Sequence, residues 1–156
     1  MKIYLDPLEG ITGYTYRRAL HQCFGGFDKY FIPFILPNQK GHLSTREKKD
    51  IAPENNEGMY AVPQILTKNA EDFIRTAETL QEYGYNEVNL NLGCPSKTVV
   101  TKGRGTLRNP ALAREIRGGA PASKEEIRRF HDIMYNEYCE DLSGDRNILF
   151  RMKELW

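Results

Sequence analysis

The thiol at position 94 has the sequence surroundings that most strongly suggest chemistry. Cys94 stands between Gly93 and Pro95, directly after the run Asn89-Leu90-Asn91-Leu92. Glycine and proline favour a loop, so we expect the thiol where a buried strand ends and a ligand can reach it. A lone cysteine is more often a small buried hydrophobe, and spacing alone does not distinguish a nucleophile from a proton donor. No histidine has a sequence context that pairs it with Cys94, so a Cys–His hydrolase is poorly supported.

Two further stretches carry polar groups where a ligand could bind. Gln64 lies in an apolar run, where its amide either satisfies backbone groups at a strand end or contacts a ligand. Gly103-Arg104-Gly105 precedes Asn109-Pro110, and two glycines beside a helix start can bring backbone N–H groups to a phosphate. A flexible basic loop is the alternative. The window 97–117 has six cationic residues and one acid, which fits either a nucleic-acid interface or a solvated face.

Strands and helices that alternate along the chain must position these residues. Four apolar runs predict strands, at 3–5, 30–36, 60–66 and 87–92. Helices are predicted at 12–22, 46–50 and 70–83. Thr12 and Asn69 are the expected caps, and Pro33 predicts a bulge or an early end of the second strand. The alternation predicts a parallel sheet, with the loops 7–10, 64–66 and 93–96 at its carboxyl end.

Helices alone are predicted after residue 108. Asn109-Pro110 is a typical helix start, and that helix is expected to end near residue 116. Ser123 and Glu126 form a capping box that opens a second helix. Its expected apolar face consists of Ile127, Phe130, Met134 and Tyr138. A last helix is predicted from near Asp145, with an apolar face made of Leu149, Met152 and Leu155.

The composition is that of an ordinary globular protein, and the length suits a single domain with a hydrophobic core. The chain has 156 residues, 22 Lys and Arg against 21 Asp and Glu, and 40% hydrophobic residues. The three cysteines are odd in number and far apart, which argues against a disulfide framework or a zinc site and favours a reducing, cytoplasmic setting. No apolar run is long enough for a membrane span, and the N-terminus is typical of a strand rather than of a signal peptide.

Taken together, the motifs resemble those of the tRNA-dihydrouridine synthases. The matching stretches are Pro7-Leu8-Glu9-Gly10-Ile11-Thr12, Pro63-Gln64-Ile65, Asn89 to Ser96, Gly103-Arg104-Gly105 with Asn109-Pro110, and Ser143 to Trp156. The resemblance implies an FMN enzyme on a (β/α)8 barrel with an appended helical bundle. It also implies tRNA as partner and substrate, with NADPH or NADH as the reductant that recharges the flavin. No metal is implied.

The resemblance also assigns roles to individual residues. A hydride from the reduced flavin goes to C6 of a uracil, and an acid on the opposite face gives a proton to C5. By resemblance that acid is Cys94, which must keep its proton until then. The other residues with an implied role are Pro7, Leu8 and Glu9 at the flavin ring, Gln64 at the isoalloxazine edge, Asn91 near the nucleotide, and Gly103 and Arg104 at the flavin phosphate.

The chain departs from the family pattern in its length. A complete barrel needs about 250 residues, and about 200 at minimum. Gly103-Arg104-Gly105 fits both the loop after the cysteine and the end of the last barrel strand, so a deletion junction is expected near 103–106. Asp6 stands where a small residue is expected and could repel the flavin. We therefore expect an α/β fold with a partial TIM-type barrel of about four parallel strands at 1–119, followed by a fragment of the helical tRNA-binding domain at 120–156.

Three functions are compatible with such an internally deleted, C-terminally shortened member. The first is a tRNA-dihydrouridine synthase, completed by a homo-oligomer that pairs the unpaired edges of the sheet. The second is a catalytically inactive relative without stable flavin binding. A flavoenzyme that acts on a free pyrimidine base is a third, which the basic window and the Cys94 motif disfavour.

Overall fold

Four parallel strands form the sheet of the computed structural model, which describes residues 1–38, 41–67, 69–91 and 110–153. They are β1 (Tyr4–Leu5), β2 (Lys29–Ile35), β3 (Ala61–Leu66) and β4 (Asn89–Asn91). Their order in the sheet is their order in the chain, and each pairs with the next in parallel. This is the arrangement of consecutive strands in a (β/α)8 barrel, so the predicted fold class is confirmed.

Helices connect the strands and follow the sheet. They are α1 (Tyr14–Cys23), α2 (Thr45–Ile51), a 3-10 helix (Pro53–Asn56), α3 (Ala70–Glu82), α4 (Leu112–Ile116), α5 (Lys124–Asp141) and α6 (Asp145–Lys153). Within the described ranges, no helix combines the length and apolar character needed to cross a membrane.

Capping residues set most of the helix starts, as predicted. The Asn69 side chain accepts hydrogen bonds from the amides of Glu71 and Asp72 at 2.8 and 3.2 Å. Ser123 forms the expected capping box with Glu126. A second capping box, Ser44 with Glu47, opens α2 and was not predicted. The helix predicted from Asn109 begins at Leu112, and Asn109 itself lies outside the described residues.

The prediction that Thr12 caps α1 is wrong. The helix begins at Tyr14, and Gly13 is its N-cap, with no side-chain cap. The carboxylate of Asp50 accepts the amide of Tyr14 at 2.6 Å and so satisfies one of the free amides of the first turn. The Thr12 hydroxyl instead bonds to the backbone of Leu8.

A register shift interrupts the pairing of β2 with β3 between Ile32 and Ile35, where Pro33 lies. Proline has no N–H to donate to a neighbouring strand, so a bulge is the expected consequence. The alternative predicted from sequence, an early strand end, does not occur, because β2 continues to Ile35.

Two apolar clusters hold the helices to the sheet. One lies between the sheet and the helices α2 and α3 and contains Ile32, Ile35, Ile51, Ile65 and Leu80. The other joins the strands β1 and β2 to α1, α5 and α6; its members include Leu5, Tyr16, Leu20, Phe24, Tyr30, Phe130, Met134, Tyr138, Ile148 and Met152. The helical segment after residue 120 therefore packs into the same cluster as the first strand.

The predicted apolar faces of the last two helices need correction. In α6, Ile148 and Met152 are buried, whereas Leu149 is 62% exposed. The buried pair is four residues apart, and a one-residue shift turns the helix by about 100°, which carries Leu149 to the solvent side. Leu155 lies outside the described residues. In α5, Ile127 is 36% exposed, although Phe130, Met134 and Tyr138 are buried as predicted.

Candidate active site

The loop that follows β1 has a tightly held backbone. The Leu8 amide donates to the Thr12 hydroxyl at 2.7 Å. The Leu8 carbonyl accepts the amides of Ile11 and Thr12 at 3.1 and 3.0 Å. Gly10 has a φ of +76°, a left-handed conformation that favours glycine. The loop 7–10 is therefore a fixed turn at the carboxyl end of the sheet.

Neighbouring helices touch this loop from two sides. The Gly10 carbonyl accepts a hydrogen bond from the guanidinium of Arg151 on α6. The exposed carboxylate of Glu9 lies 3.9 Å from the guanidinium of Arg46 on α2, a solvent-screened pair that contributes little stability. The loop is therefore in contact with both the barrel helices and the C-terminal helical segment.

A buried arginine, Arg17, binds the backbone at the end of this loop. The Arg17 guanidinium is fully buried and donates to the Thr12 carbonyl at 2.9 Å, the Asp50 carbonyl at 2.7 Å and Asn56 Oδ1 at 3.0 Å. Its Nη1 lies 3.5 Å from the Asp50 carboxylate. Burial lowers the pKa of Arg17 and raises the pKa of Asp50, and the attraction between the two charges opposes both shifts.

Three amide side chains form a cluster across β3 and β4. Gln64 and Asn89 are register partners, and Gln64 Nε2 donates to Asn89 Oδ1 at 2.9 Å. Asn91 Nδ2 donates to Gln64 Oε1, also at 2.9 Å. The next residue of β3, Ile65, packs against α3, so the amide cluster lies on the opposite face of the sheet. Among the described residues, the Gln64 amide makes only these two bonds, which leaves it one N–H and one lone pair.

A cavity of about 310 Å³ opens beside Gly10, between the loop, α2 and the C-terminal helices. Its polar lining includes three cations, Arg46, Lys49 and Arg151, and two carboxylates, Asp50 and Asp141. Lys49 and Asp141 are paired with each other. The amide cluster does not line this cavity.

The family model described as dihydrouridine synthase (Dus) matches residues 4–132, which include the loop, the amide cluster and the buried arginine. The chain belongs to this family.

Curated relatives of the Dus family match most of the chain. It is 29% identical to tRNA-dihydrouridine synthase B of Pasteurella multocida, over 74% of the chain and 34% of that relative. It is 27% identical to a probable tRNA-dihydrouridine synthase of Staphylococcus aureus, over 90% of the chain and 47% of the relative. It is 32% identical to tRNA-dihydrouridine(16) synthase of Pseudomonas putida, over 79% of the chain and 41% of the relative. The chain spans about a third to a half of the length of these relatives. No solved structure matches it.

The residues to which the Dus resemblance gives roles fall into three groups. Pro7, Leu8 and Glu9 lie together on the loop after β1, and Gln64 and Asn91 are hydrogen-bonded to each other. Cys94, Gly103 and Arg104 lie outside the described residues. Within the described part of the chain, Gln64 and Asn89 make no hydrogen bond to the loop.

The described residues fit the ring side of a flavin. The edge of an isoalloxazine carries both N–H and C=O groups, and the remaining N–H and lone pair of Gln64 match such an edge. Asp6, whose carboxylate could repel a flavin, is exposed. No group of three or more His, Cys, Asp or Glu side chains that could hold a metal occurs among the described residues.

Sequence reasoning missed the structural roles of four residues that hold this site together, which are Thr12, Arg17, Asp50 and Asn89. Asn89 was recoverable, because it stands two residues before Asn91 on the same face of a strand. The pairing of Arg17 with Asp50 joins positions 33 residues apart and has no local signal.

Carboxylates already pair with two cations of the basic window. Arg114 makes a two-bond contact with Glu126 at 2.7 and 2.9 Å. Arg117 donates to Asp28 at 2.7 Å and to the Gly26 carbonyl at 2.9 Å. An RNA interface in this window would therefore depend on its other cations, Lys97, Lys102, Arg104 and Arg108, which lie outside the described residues.

Proposed function

We propose that the chain reduces uridine to 5,6-dihydrouridine in tRNA, as an FMN-dependent oxidoreductase with NADPH or NADH as reductant. The observation that carries this proposal is the amide cluster of Gln64, Asn89 and Asn91 at the carboxyl end of the sheet. Its last member, Asn91, stands three residues before Cys94 in the chain. Ligand sites of parallel α/β folds lie at that end. The names of the curated relatives agree with this substrate.

Each residue has a defined task in this reaction. The chemistry expected of bound FMN is transfer of a hydride to C6 of the uracil. The Cys94 thiol then gives its proton to C5, so that the C5–C6 double bond is reduced by one hydride and one proton. Gln64 would bind the ring edge of the flavin, with its orientation fixed by Asn89 and Asn91. The loop 7–9 would support the ring, and Gly103 and Arg104 would hold the phosphate.

Titration of the purified full chain with FMN, followed by visible absorbance and fluorescence, tests the cofactor. We expect Gln64→Leu to weaken FMN binding at least about fivefold, because it removes a side chain that donates and accepts hydrogen bonds. Gln81→Leu is the matched control, since Gln81 is exposed on α3. A wild-type chain that takes up no FMN would overturn the proposal.

Dihydrouridine formation in tRNA, measured with NADPH or NADH supplied, tests the chemistry. Cys94→Ala should lower the rate about 10²–10⁴-fold, the usual contribution of a positioned acid. Binding of FMN should stay unchanged in that variant. A fully active Cys94→Ala variant would show that the thiol is not the proton donor, although the proposed reduction of uridine in tRNA would stand. Free uracil, offered as a competing substrate, should not be reduced.

A catalytically inactive relative is the second candidate, and one observation favours it. The chain spans only 34–47% of the curated relatives' length, so their complete active site is not guaranteed.

A homo-oligomer is the alternative that would complete the sheet. If the β4 edges of two copies paired, the second copy would lie beside β4. Among the described residues β4 pairs only with β3, and Leu90 on it is 47% exposed. Light scattering during size exclusion tests this: a sharp monomer would rule out the homo-oligomer.

A further inference from the structure

Thr12 engages both polar backbone groups of Leu8. Its hydroxyl accepts the Leu8 amide at 2.7 Å and donates to the Leu8 carbonyl at 3.2 Å. The amides of Ile11 and Thr12 donate to the same carbonyl. The Thr12 side chain is only 1% exposed, so water does not replace these bonds. Leu8 therefore has no backbone group left for a ligand.

The residues on either side of Leu8 differ from it. Within the described ranges, no hydrogen bond uses the carbonyl of Pro7 or the amide of Glu9. Two acceptors, the carbonyls of Pro7 and Glu9, and two donors, the amides of Glu9 and Gly10, are thus left on the loop, and the engaged Leu8 lies between the Pro7 carbonyl and the Glu9 amide. A planar ring with alternating N–H and C=O groups along its edge offers the complementary pattern.

Arg17 fixes the main chain of Thr12 itself. Its buried guanidinium donates to the Thr12 carbonyl at 2.9 Å and is itself held by the Asp50 carbonyl and by Asn56. The main chain of Thr12 is therefore anchored to α2 and the 3-10 helix. The hydroxyl transmits that anchoring to the loop, because it is the only Thr12 side-chain group that can hydrogen-bond.

We propose that Thr12 is a positioning residue for the cofactor loop. Its hydroxyl fixes the Leu8 backbone, so that the Pro7 carbonyl and the Glu9 amide on either side remain for the flavin ring. The inference rests on the proposed function for the identity of the ligand. We call the two hydrogen bonds between the Thr12 hydroxyl and the Leu8 backbone the clamp, and the clamp does not depend on the identity of the ligand.

Thr12→Val and Thr12→Ser form a matched pair for the test. Valine keeps the shape and loses the hydroxyl, whereas serine keeps the hydroxyl and loses the methyl group. In the full chain, hydrogen exchange of the Leu8 amide, followed by NMR, should accelerate at least about tenfold in Thr12→Val and remain near wild type in Thr12→Ser. The dissociation constant for FMN should rise at least about fivefold in Thr12→Val and stay within about twofold in Thr12→Ser.

Each outcome bears on a different part of the inference. Equal Leu8 exchange in all three proteins would overturn the clamp, whether or not FMN binds. Faster exchange with unchanged FMN affinity would overturn the positioning role. Failure of the wild type to bind FMN would overturn the proposed function and the flavin part of the inference, whereas Leu8 exchange would still decide the clamp. If Thr12→Val does not fold, the wild type decides: the Leu8 amide must be better protected than the Glu9 amide, and equal protection would contradict the clamp.

Discussion

Single polar residues in the interior determine how firmly the site is held, and Arg17 is the clearest case. Removing its side chain leaves the buried Asp50 carboxylate with the Tyr14 amide at 2.6 Å and the guanidinium of Arg46 at 3.9 Å. We expect Arg17→Met to lower the free energy of unfolding by about 3–5 kcal/mol, the usual cost of stranding a buried charge. Urea denaturation of the two proteins measures this difference.

A neighbouring arginine supplies the control for this prediction. Arg18 is 36% exposed and lies 3.5 Å from Glu137. Arg18→Met should change the free energy of unfolding by no more than about 1 kcal/mol. Adding Asp50→Asn to Arg17→Met should recover part of the loss, because the stranded charge is then gone. Additive losses in the double variant would contradict the pairing.

The pair of Arg114 and Glu126 gives the molecule a defined acid sensitivity. Two hydrogen bonds from the guanidinium, and the amide of Ser123, lower the pKa of Glu126 to about 2 from its ordinary 4.5. A carboxyl group whose pKa is lower in the folded state than in the unfolded state stabilises the fold fully at a pH above its unfolded-state pKa. The contribution is therefore present above pH 4.5 and is lost as the pH falls towards about 2.

Thermal melting of wild type and Glu126→Gln from pH 6 to pH 3 measures this effect. The wild type should melt at the higher temperature at pH 6, and the difference between the two proteins should shrink as the pH falls. Glu125→Gln is the matched control, because Glu125 is exposed on the same helix turn. A melting difference that is independent of pH would show that the Glu126 charge has no such role.

The sequence singled out individual residues where their signal was local. Gln64 stood out because an amide in an apolar strand needs a partner, and the structure supplies Asn89 and Asn91 as those partners. Thr12 was assigned to the wrong task, since its capping hydroxyl could equally turn back to Leu8. The Arg17 and Asp50 contact arises only when α1 and α2 are packed together, so no local pattern contains it.

At the scale of elements, α6 begins at Asp145 as predicted, but its buried face differs from the one expected. Ile148 is 6% exposed, and its neighbour Leu149 is 62% exposed. Ile148→Ala should therefore cost about 2–5 kcal/mol of unfolding free energy, and Leu149→Ala about 0.5 kcal/mol or less. Urea denaturation compares the two variants, which delete the same number of atoms. Equal losses would support the apolar face expected from the sequence.

Element types were predictable because strands and helices alternate with clear punctuation. Asn69 and Ser123 mark helix starts by their side chains, and the structure confirms both. The start of α1 was misplaced because its first amide is bound by Asp50, from a different helix. The exact face of α6 was misjudged because Ile148, Leu149 and Phe150 are all apolar, and only packing selects among them.

At the scale of the whole molecule, the cluster that contains Leu5 and Tyr30 extends across the boundary expected near residue 119. The ring centroid of Phe130 on α5 lies 5.7 Å from that of Tyr16 and 5.6 Å from that of Phe24, and both contacts are edge to face. The Arg114 and Glu126 pair joins α4 to α5. The division into a barrel fragment and a helical fragment remains a prediction, but in the described chain the two share one apolar cluster.

This shared cluster predicts that the fragment 1–119 does not fold on its own. It lacks Phe130, Met134, Ile148 and Met152, which belong to the same apolar cluster as Tyr16 and Leu20 in the full chain. Burial of each such side chain contributes roughly 1.5–3 kcal/mol. The combined loss is comparable to the whole stability of a small domain, about 5–15 kcal/mol.

Circular dichroism during urea denaturation should show a cooperative transition for the full chain and none for the fragment. A fragment that unfolds cooperatively at the same urea concentration would prove that the first four strands and their helices are an independent domain.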